Sequence, residues 1–572
     1  MKTLPAPTQP WVLTRTQAIP GKDLPTTAPR WRRRETVVLS AALALAFALR
    51  LTFTRFRTIL VDWDSAPYLV LARNLSAGIG FREHSGGPPH TWFQPLYPVL
   101  ISLASRLVPN FECAALIVSA LFGSLVLIPL FLLARRIYSG RVAFLAAALF
   151  VFNYRLVEAS SQIITEMPYT MFWLFGLYFA LRIFETPVPR YSDHLAFGGC
   201  LGLAALTRTE GTLYLGLLGS LLLIRALMLM RRDIRTGGRA IVSLALAVAT
   251  FGLTISPYLN FLHESLGHFT ITGRSVRTVF AVIDAPTETY EFHEEGTFEY
   301  VRKYPLACLH RILHNVEYIV RRHGNWAFPP LSVALIAVSF FGRPWGPRRS
   351  ARELFLLTVF LFPWLTFYGI TGLLNRYYLA FVALGILWSA NGVDTVAQWF
   401  ARSRFLSSVR PRWNARRYGA AAAAVVAVAF LTNLQQLSLP IRLGHFPIHA
   451  DERKDLALGN WIKDDSRGQQ PRVMCASPRI AYYAGGDYFG DNSTRLNRSN
   501  LNEYLRANRI DYVVADAFFT KQWYPNLRFL ADEHECPVYL DFATKFRYTY
   551  DNGEEGFVNL YKTRVGAPAL SP

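Results

Sequence analysis

Residues 62–81 read DWDSAPYLVLARNLSAGIGF and follow directly on an apolar run. Two acids, Asp62 and Asp64, thus stand at the mouth of a membrane-length segment. Behind them, Tyr68, Leu69, Leu71, Ala72 and Leu75 share one face of a helix, which Gly78 and Gly80 end. A second apolar stretch, PLYPVLISLASRLVP (Pro95–Pro109), is too short to span a bilayer. Both are expected in the membrane interface, a depth that suits Trp63, Trp92, Phe93 and Tyr97.

Outward from this loop, apolar runs of about 20 residues recur through most of the chain, the mark of a polytopic α-helical membrane protein. Of 572 residues, 52% are hydrophobic and 17% charged, less charge than a soluble protein of this length carries. Eleven spans are expected, at 36–57, 114–134, 141–155, 160–182, 194–207, 211–230, 240–262, 326–342, 353–373, 377–399 and 418–436. Arg135, Arg136 and Arg141, then Arg231, Arg232, Arg235 and Arg239, then Arg343, Arg348, Arg349 and Arg352, and finally Arg402 to Arg417 all fall on one side under this count. The excess of arginine makes that side cytoplasmic. The net charge of +21 is therefore topological, and no basic face with interleaved aromatics points to nucleic acid.

Residues 1–34, rich in Pro and Thr and closing on Arg30, Arg32, Arg33 and Arg34, read as a disordered cytoplasmic tail rather than a secretory signal. Residues 35–437 read as the transmembrane domain, with large outer loops at 61–113 and 263–325. Residues 438–572 change character. RVMCAS, DYVVAD, VYLDF and GFVNLYK read as strands and LNEYLRANR as a helix, which predicts a small extracytoplasmic α/β domain. No GxGxxG or GxxxxGK[ST] loop accompanies it, and the five cysteines form no CxxC pair.

Three acids on the outer side are candidates for chemistry: Asp64 at the start of the loop helix, Glu166 at the outer end of the fourth span, and Glu210 in LTRTEG. Acids at membrane depth are costly and are kept for function or paired. Each also has a plain reading. Asp64 can cap the helix, and Glu210 can pair locally with Arg208. Arg208, Arg274 and Arg376 share that side, and the planar guanidinium suits phosphate, although an arginine there can also snorkel to headgroups. Outer acids, outer arginines and interfacial helices fit sugar transfer from a lipid phosphate: a carboxylate takes the acceptor proton and cations hold the leaving phosphate.

DSAPYLVLARNLSAGIGF followed by QPLYPVLISLASRL resembles the first outer loop of the GT-C glycosyltransferases, nearest to the protein O-mannosyltransferase-like, family 39- and 83-like bacterial proteins. The aminoarabinose transferase acting on lipid A is a related member. SGRVAFLAAALFVFNYRLVEASSQIITEMPYTMFW, LTRTEG and NRYY look similar to the same superfamily. The resemblance covers about residues 35–400. It implies a polyprenyl-phosphate sugar donor, an acceptor that is a glycan, lipid or protein, and inverting transfer on the outer face of the cytoplasmic membrane. It implies a catalytic Asp four residues before a Tyr, which selects Asp64 and Tyr68. Where some relatives carry a second acid after the first, Ser65 stands here. The resemblance also gives Glu166 a catalytic role, with acceptor or metal, and makes Arg376 and Tyr377 a donor-phosphate contact, although Ala380 departs from the proline of that pattern. Arg208, Glu210 and Arg274 complete the expected substrate-binding set. A divalent metal ion is left open, since relatives differ and no HExxH or histidine cluster is present. The competing classes are a lipid-linked sugar transporter, which would show internal repeats, and a non-catalytic scaffold, which would not need Asp64 and Glu166 together.

Overall fold

In a bilayer the backbone finds hydrogen-bond partners only within the protein, so apolar runs of membrane length become helices. The computed structural model describes residues 33–564 apart from 61, 85, 187, 189, 274–278, 285–286, 293–301, 319–320, 322–326, 343–344, 366–374, 403–410, 491–495, 518 and 552. Arg274 and all but the end of the expected N-terminal tail lie outside the described residues.

The chain begins with α1 (Arg33–Thr54), the short α2 (Ser65–Ser76) and α3 (Leu96–Ala104), and α4 (Phe111–Leu125), which runs on into α5 (Leu127–Ile137). Then come α6 (Gly140–Val151) and α7 (Tyr154–Ser160), bent by 59° at their break. α8 (Glu166–Glu185), α9 (Tyr191–Thr207), α10 (Glu210–Met230) and α11 (Ile234–Leu266) follow. The second large loop holds a hairpin, β1 (Val279–Asp284) with β2 (Thr287–Phe292), and a helix α12 (Pro305–Tyr318). Helices α13 (Pro330–Ser339), α14 (Pro347–Leu365), α15 (Leu379–Arg402) and α16 (Pro411–Leu443) complete the apolar part.

All eleven expected spans fall on these helices. Among the described residues seven segments are long and apolar enough to cross a membrane, and the bent α6–α7 pair makes an eighth. The remaining three expectations fall on α9, α13 and α14, of which α9 has 17 residues and α13 only 10.

The 20 residues of α8 separate Glu166 from Glu185 by about 30 Å, the thickness of a hydrocarbon core. The Glu185 end is a belt of ion pairs. Glu185 takes Arg136 at 2.7 Å and also Arg352, while Arg135 reaches Glu35 at 3.1 Å. Glu353 accepts Tyr138 and Trp388, each at 2.9 Å. Several arginines that set the expected orientation are therefore matched by acids at this end.

The loop helices, both expected in the membrane interface, turn their apolar faces onto protein: Tyr68, Leu69, Leu71, Ala72, Tyr97 and Ile101 are buried in a cluster with Ala114, Ala115 and Val118 of α4. Leu103 and Leu107 stay exposed. Gly78, at φ +73°, supplies the left-handed turn that ends α2, and the Ile79 amide then closes onto the Asn74 carbonyl at 2.9 Å.

After α17 (Ala450–Asp465) come β3 (Arg472–Met474), α18 (Pro478–Tyr483), β4 (Asp487–Phe489), α19 (Leu501–Ala507), β5 (Tyr512–Asp516), β6 (Leu540–Thr549) and β7 (Glu555–Thr563). The sheet order is β4-β3-β5-β7-β6, parallel across the first three strands and antiparallel across the last two. Both faces are covered, which is why YVVAD is a continuous buried run. Tyr512 and Val514 face the cluster of α17 and α18, while Val513 and Ala515 face that of α19. The α/β reading holds, and β4 is the strand it lacked: three residues between glycines carry no period to detect. Cys475 and Cys536 are free thiols.

Glycine sets the closest helix crossings. A Cβ on Gly198 would meet the Ala247 carbonyl of α11 at 2.1 Å, whereas one on Gly216 would meet nothing within 4 Å. Gly198→Ala is expected to lower the thermal unfolding midpoint of the detergent-purified protein, at a cost of about 1–3 kcal/mol, with Gly216→Ala unchanged or slightly stabilised.

Candidate active site

The site is assembled at the other end of α8, where four chain segments meet. The first is the turn before α2. Asp62 Oδ1 accepts the Asp64 amide at 2.9 Å and the Asp62 carbonyl accepts the Ser65 amide at 3.1 Å, so the turn is held by its own first acid. Asp64 occupies the N-cap position of α2, yet its side chain makes no cap hydrogen bond. The capping reading of Asp64 is thereby set aside, and its carboxylate points elsewhere. Ser65 Oγ donates to the Ile163 carbonyl at 2.9 Å, which ties this turn to the segment leading into α8.

The second segment is the 3₁₀ turn Asn375–Tyr378 that opens α15. Arg376 lies on it and reaches three acids. Nη1 meets Asp62 Oδ1 at 2.6 Å, Nη2 meets Asp64 Oδ2 at 2.5 Å, and Nε faces Glu166 Oε1 at 3.5 Å. The third and fourth segments are the start of α8, which places Glu166, and the α9–α10 turn, which places Arg208 and Glu210. Arg208 Nη1 meets the same Glu166 Oε1 at 2.5 Å, and its Nη2 meets Glu210 Oε1 at 2.7 Å. The guanidinium of Arg208 also lies over the Tyr377 ring, 4.4 Å from its centre. Tyr68 closes the rear wall, packed edge-on against Tyr97 at 5.3 Å and beside Phe93 at 4.9 Å.

Exposure divides the acids. The Asp62 and Asp64 side chains are 24% and 23% exposed, while Glu166 is 3% and Glu210 9%. Burial pushes the Asp62 carboxyl above its ordinary value, against the pull of Arg376 and with the help of neighbouring Asp64. Burial likewise pushes the Tyr68 phenol well up, and the Asp64 charge adds to this.

Of the expected residues, Asp64, Glu166, Arg208, Glu210, Arg376 and Tyr377 form this one cluster, with Tyr68 against it. Arg274 lies outside the described residues. Its neighbour Gly273 donates its amide to the Thr91 carbonyl at 3.1 Å. Asp62 is the acid that the family resemblance passed over in favour of Asp64, and the fold brings its side chain onto Arg376. Among the described residues no three His, Cys, Asp or Glu side chains converge as a metal site requires. The four acids are turned onto arginines instead, so this arrangement does not fit a cation, and no step below is routed through one.

Comparison with known proteins bears on this architecture. Residues 89–255 match the family described as dolichyl-phosphate-mannose-protein mannosyltransferase. No curated protein matches the chain. The apo structure of ArnT from Cupriavidus metallidurans is 15% identical, with 92% of this chain and 97% of that one covered and a TM-score of 0.52. The structure of the same protein bound to undecaprenyl phosphate gives a TM-score of 0.51, at the same identity and coverage. The Archaeoglobus fulgidus oligosaccharyltransferase, in complex with zinc and sulfate, is 14% identical, covers 91% of this chain and 72% of its own, and has a TM-score of 0.51. The chain shares its fold with these two proteins: a multi-pass helical part followed by a small sheet domain.

Arg208 is the cation that two buried glutamates share. Arg208→Ala is expected to destabilise the protein by about 3–5 kcal/mol, seen as a lower unfolding midpoint in detergent, and adding Glu210→Gln should recover part of that loss.

Proposed function

We propose that the protein is an integral-membrane glycosyltransferase that moves a sugar from a polyprenyl-phosphate donor to an acceptor hydroxyl, with inversion and with Asp64 as general base. The observation that carries this reading is Arg376, a guanidinium within 2.6 Å of two partly exposed aspartates at the end of a membrane span. It supplies an anion binder and a proton acceptor side by side. The undecaprenyl phosphate bound by ArnT, a protein of the same fold, supports a lipid phosphate as the donor's carrier.

The charges dictate the order of events. Asp62, Asp64, Glu166 and Glu210 bring four negative charges, and Arg208 and Arg376 bring two positive ones. Two of the negative charges are therefore left over, and a phosphate cannot simply join them. Arg376 must exchange an aspartate for a phosphate oxygen. That exchange frees the carboxylate that then takes the acceptor proton, so the base becomes competent when the donor arrives. The acceptor oxygen attacks the anomeric carbon from the face opposite the phosphate. The bond from that carbon to the phosphate oxygen breaks, and the polyprenyl phosphate leaves with its charge on Arg376. Glu166, almost fully buried, holds both arginines in place and does not meet the acceptor. Tyr68 lines the sugar side. Because the basic loops expected in the cytoplasm belong to the far end of the bundle, we place the reaction on the extracytoplasmic face of the cytoplasmic membrane, together with the sheet domain at 438–572.

In membranes offered a panel of undecaprenyl-phosphate sugars, Asp64→Asn at equal abundance is expected to lower transfer by at least about 100-fold, the scale of one general base. A variant that transfers like the wild type would remove Asp64 from this role. Arg376→Lys keeps the charge and loses the fork, and should lower kcat/KM for the donor by roughly 10-fold or more. An acid with a raised pKa takes up its proton at a higher pH than usual. A protonated Asp62 no longer holds Arg376 as an ion pair and holds the Asp64 amide less firmly, so transfer should fall on the acid side above the ordinary aspartate value of about 3.9, and Asp62→Asn should alter that limb of the pH profile.

A further inference from the structure

Leu60 stands two residues before Asp62, and one helix of the sheet domain takes both of its backbone groups. Its amide donates to Tyr483 Oη at 2.7 Å, and its carbonyl accepts from Arg479 Nη1 at 3.4 Å. Tyr483 and Arg479 are four residues apart on α18, and so lie on one face of it.

That face is rigidly mounted. Arg479 is 2% exposed, and Asp455 of α17 holds it through Nη2 at 2.7 Å and Nε at 2.9 Å. The same Asp455 oxygen accepts Ser477 Oγ at 2.6 Å. Next to Asp455, Lys454 ties α17 to Asp516 at the end of β5, at 2.7 Å. Ser477 and Arg479 follow the carboxyl end of β3, the edge at which α/β sheets present their working groups. Here that edge meets the first loop of the membrane part. His84 of the loop also lies on Phe489, at the carboxyl end of β4, with ring centres 4.6 Å apart. A separate contact fixes the same helix elsewhere: Tyr482 Oη donates to Glu112 Oε1, at the start of α4, at 2.7 Å.

We propose that α18 is a clamp on the catalytic turn, with Tyr483 and Arg479 as positioning residues that set where Asp62 and Asp64 stand relative to Arg376. The inference rests on the reading of that turn as the reaction centre, and gives the sheet domain a part in catalysis in addition to any acceptor contact. Two residues span at most about 7 Å, so holding Leu60 bounds how far Asp62 can stray. A displacement of about 1 Å at a reacting group can cost on the order of 100-fold in rate.

Tyr483→Phe deletes one hydroxyl and leaves the buried Arg479–Asp455 pair intact, so the domain keeps its fold. Tyr482→Phe removes the contact to α4 and serves as the matched control. Amide hydrogen exchange of the purified full chain reads the peptide covering residues 57–66. Transfer kinetics use whichever undecaprenyl-phosphate sugar the wild type accepts, with Asp64→Asn run alongside. Tyr483→Phe should speed exchange in that peptide and lower kcat on the order of 10-fold to 100-fold, with donor KM moved by less than about 2-fold. Tyr482→Phe should do neither. Unchanged exchange in Tyr483→Phe overturns the clamp. So does faster exchange with unchanged kcat, and so does an equal loss in both variants, which would mean only that the domain must dock. If Asp64→Asn transfers normally, the base assignment fails while the exchange result still judges the clamp. If Asp64→Asn is inactive and Tyr483→Phe behaves as wild type, the clamp fails while the base stands. Should the wild type transfer none of the sugars, exchange alone decides the clamp.

Discussion

A single carboxylate oxygen, Oε1 of Glu166, faces two guanidiniums. Arg208 lies 2.5 Å from it and Arg376 3.5 Å. Through it the start of α8, the turn between α9 and α10 and the turn opening α15 converge on one point. Through Arg376 the loop carrying Asp62 and Asp64 joins them. At the edge of a bilayer such groups are stable only in company, because each unpaired charge would carry its full desolvation cost. The mutual need of acids and arginines is therefore what draws four distant segments together. The α2–α3 packing, the Ser65 tie to Ile163 and the Tyr68 wall are arranged around that point.

The same constraint defines what the site can do. An arginine saturated by carboxylates is a poor phosphate receptor until one of them yields, and a carboxylate held by an arginine is a poor base until it is released. Each group restrains the other in the resting state. On the proposed reading, an arriving donor would relieve both restraints in one step and so tie proton abstraction to the presence of the sugar phosphate.

Much of this was legible in the sequence. Acids and arginines at span ends are conspicuous against apolar flanks, and so Asp64, Glu166, Arg208, Glu210 and Arg376 could be named from position alone. The local pair of Glu210 with Arg208 was legible too; what could not be read was the pairing between distant segments. Arg376 and Asp64 are 312 positions apart, and no local pattern reports that they meet. Asp62 was passed over because the pattern that the family resemblance implies, an Asp four residues before a Tyr, favoured its neighbour, while its role in holding the turn depends on backbone geometry. The apolar faces of α2 and α3 were legible, but not what covers them: an amphipathic face shows that something apolar lies on it, without showing whether that is lipid or protein. In the sheet domain, strands with a long apolar run were visible, and three-residue β4 was not. Arg274 was a legible candidate that lies outside the described residues.

The contact between Leu60 and Tyr483 joins positions 423 residues apart. At about 5–20 residues per second, a ribosome needs tens of seconds between making the first and making the second. The membrane part is synthesised and inserted during that interval, while Leu60 lacks the Tyr483 and Arg479 partners of its amide and carbonyl. A chain caught mid-synthesis, or broken before residue 483, would sit in the bilayer as a helix bundle with a slack loop. On the proposed reading, the loop is set only once the sheet domain has been translated, and the long span of that contact acts as a timer on the site it holds.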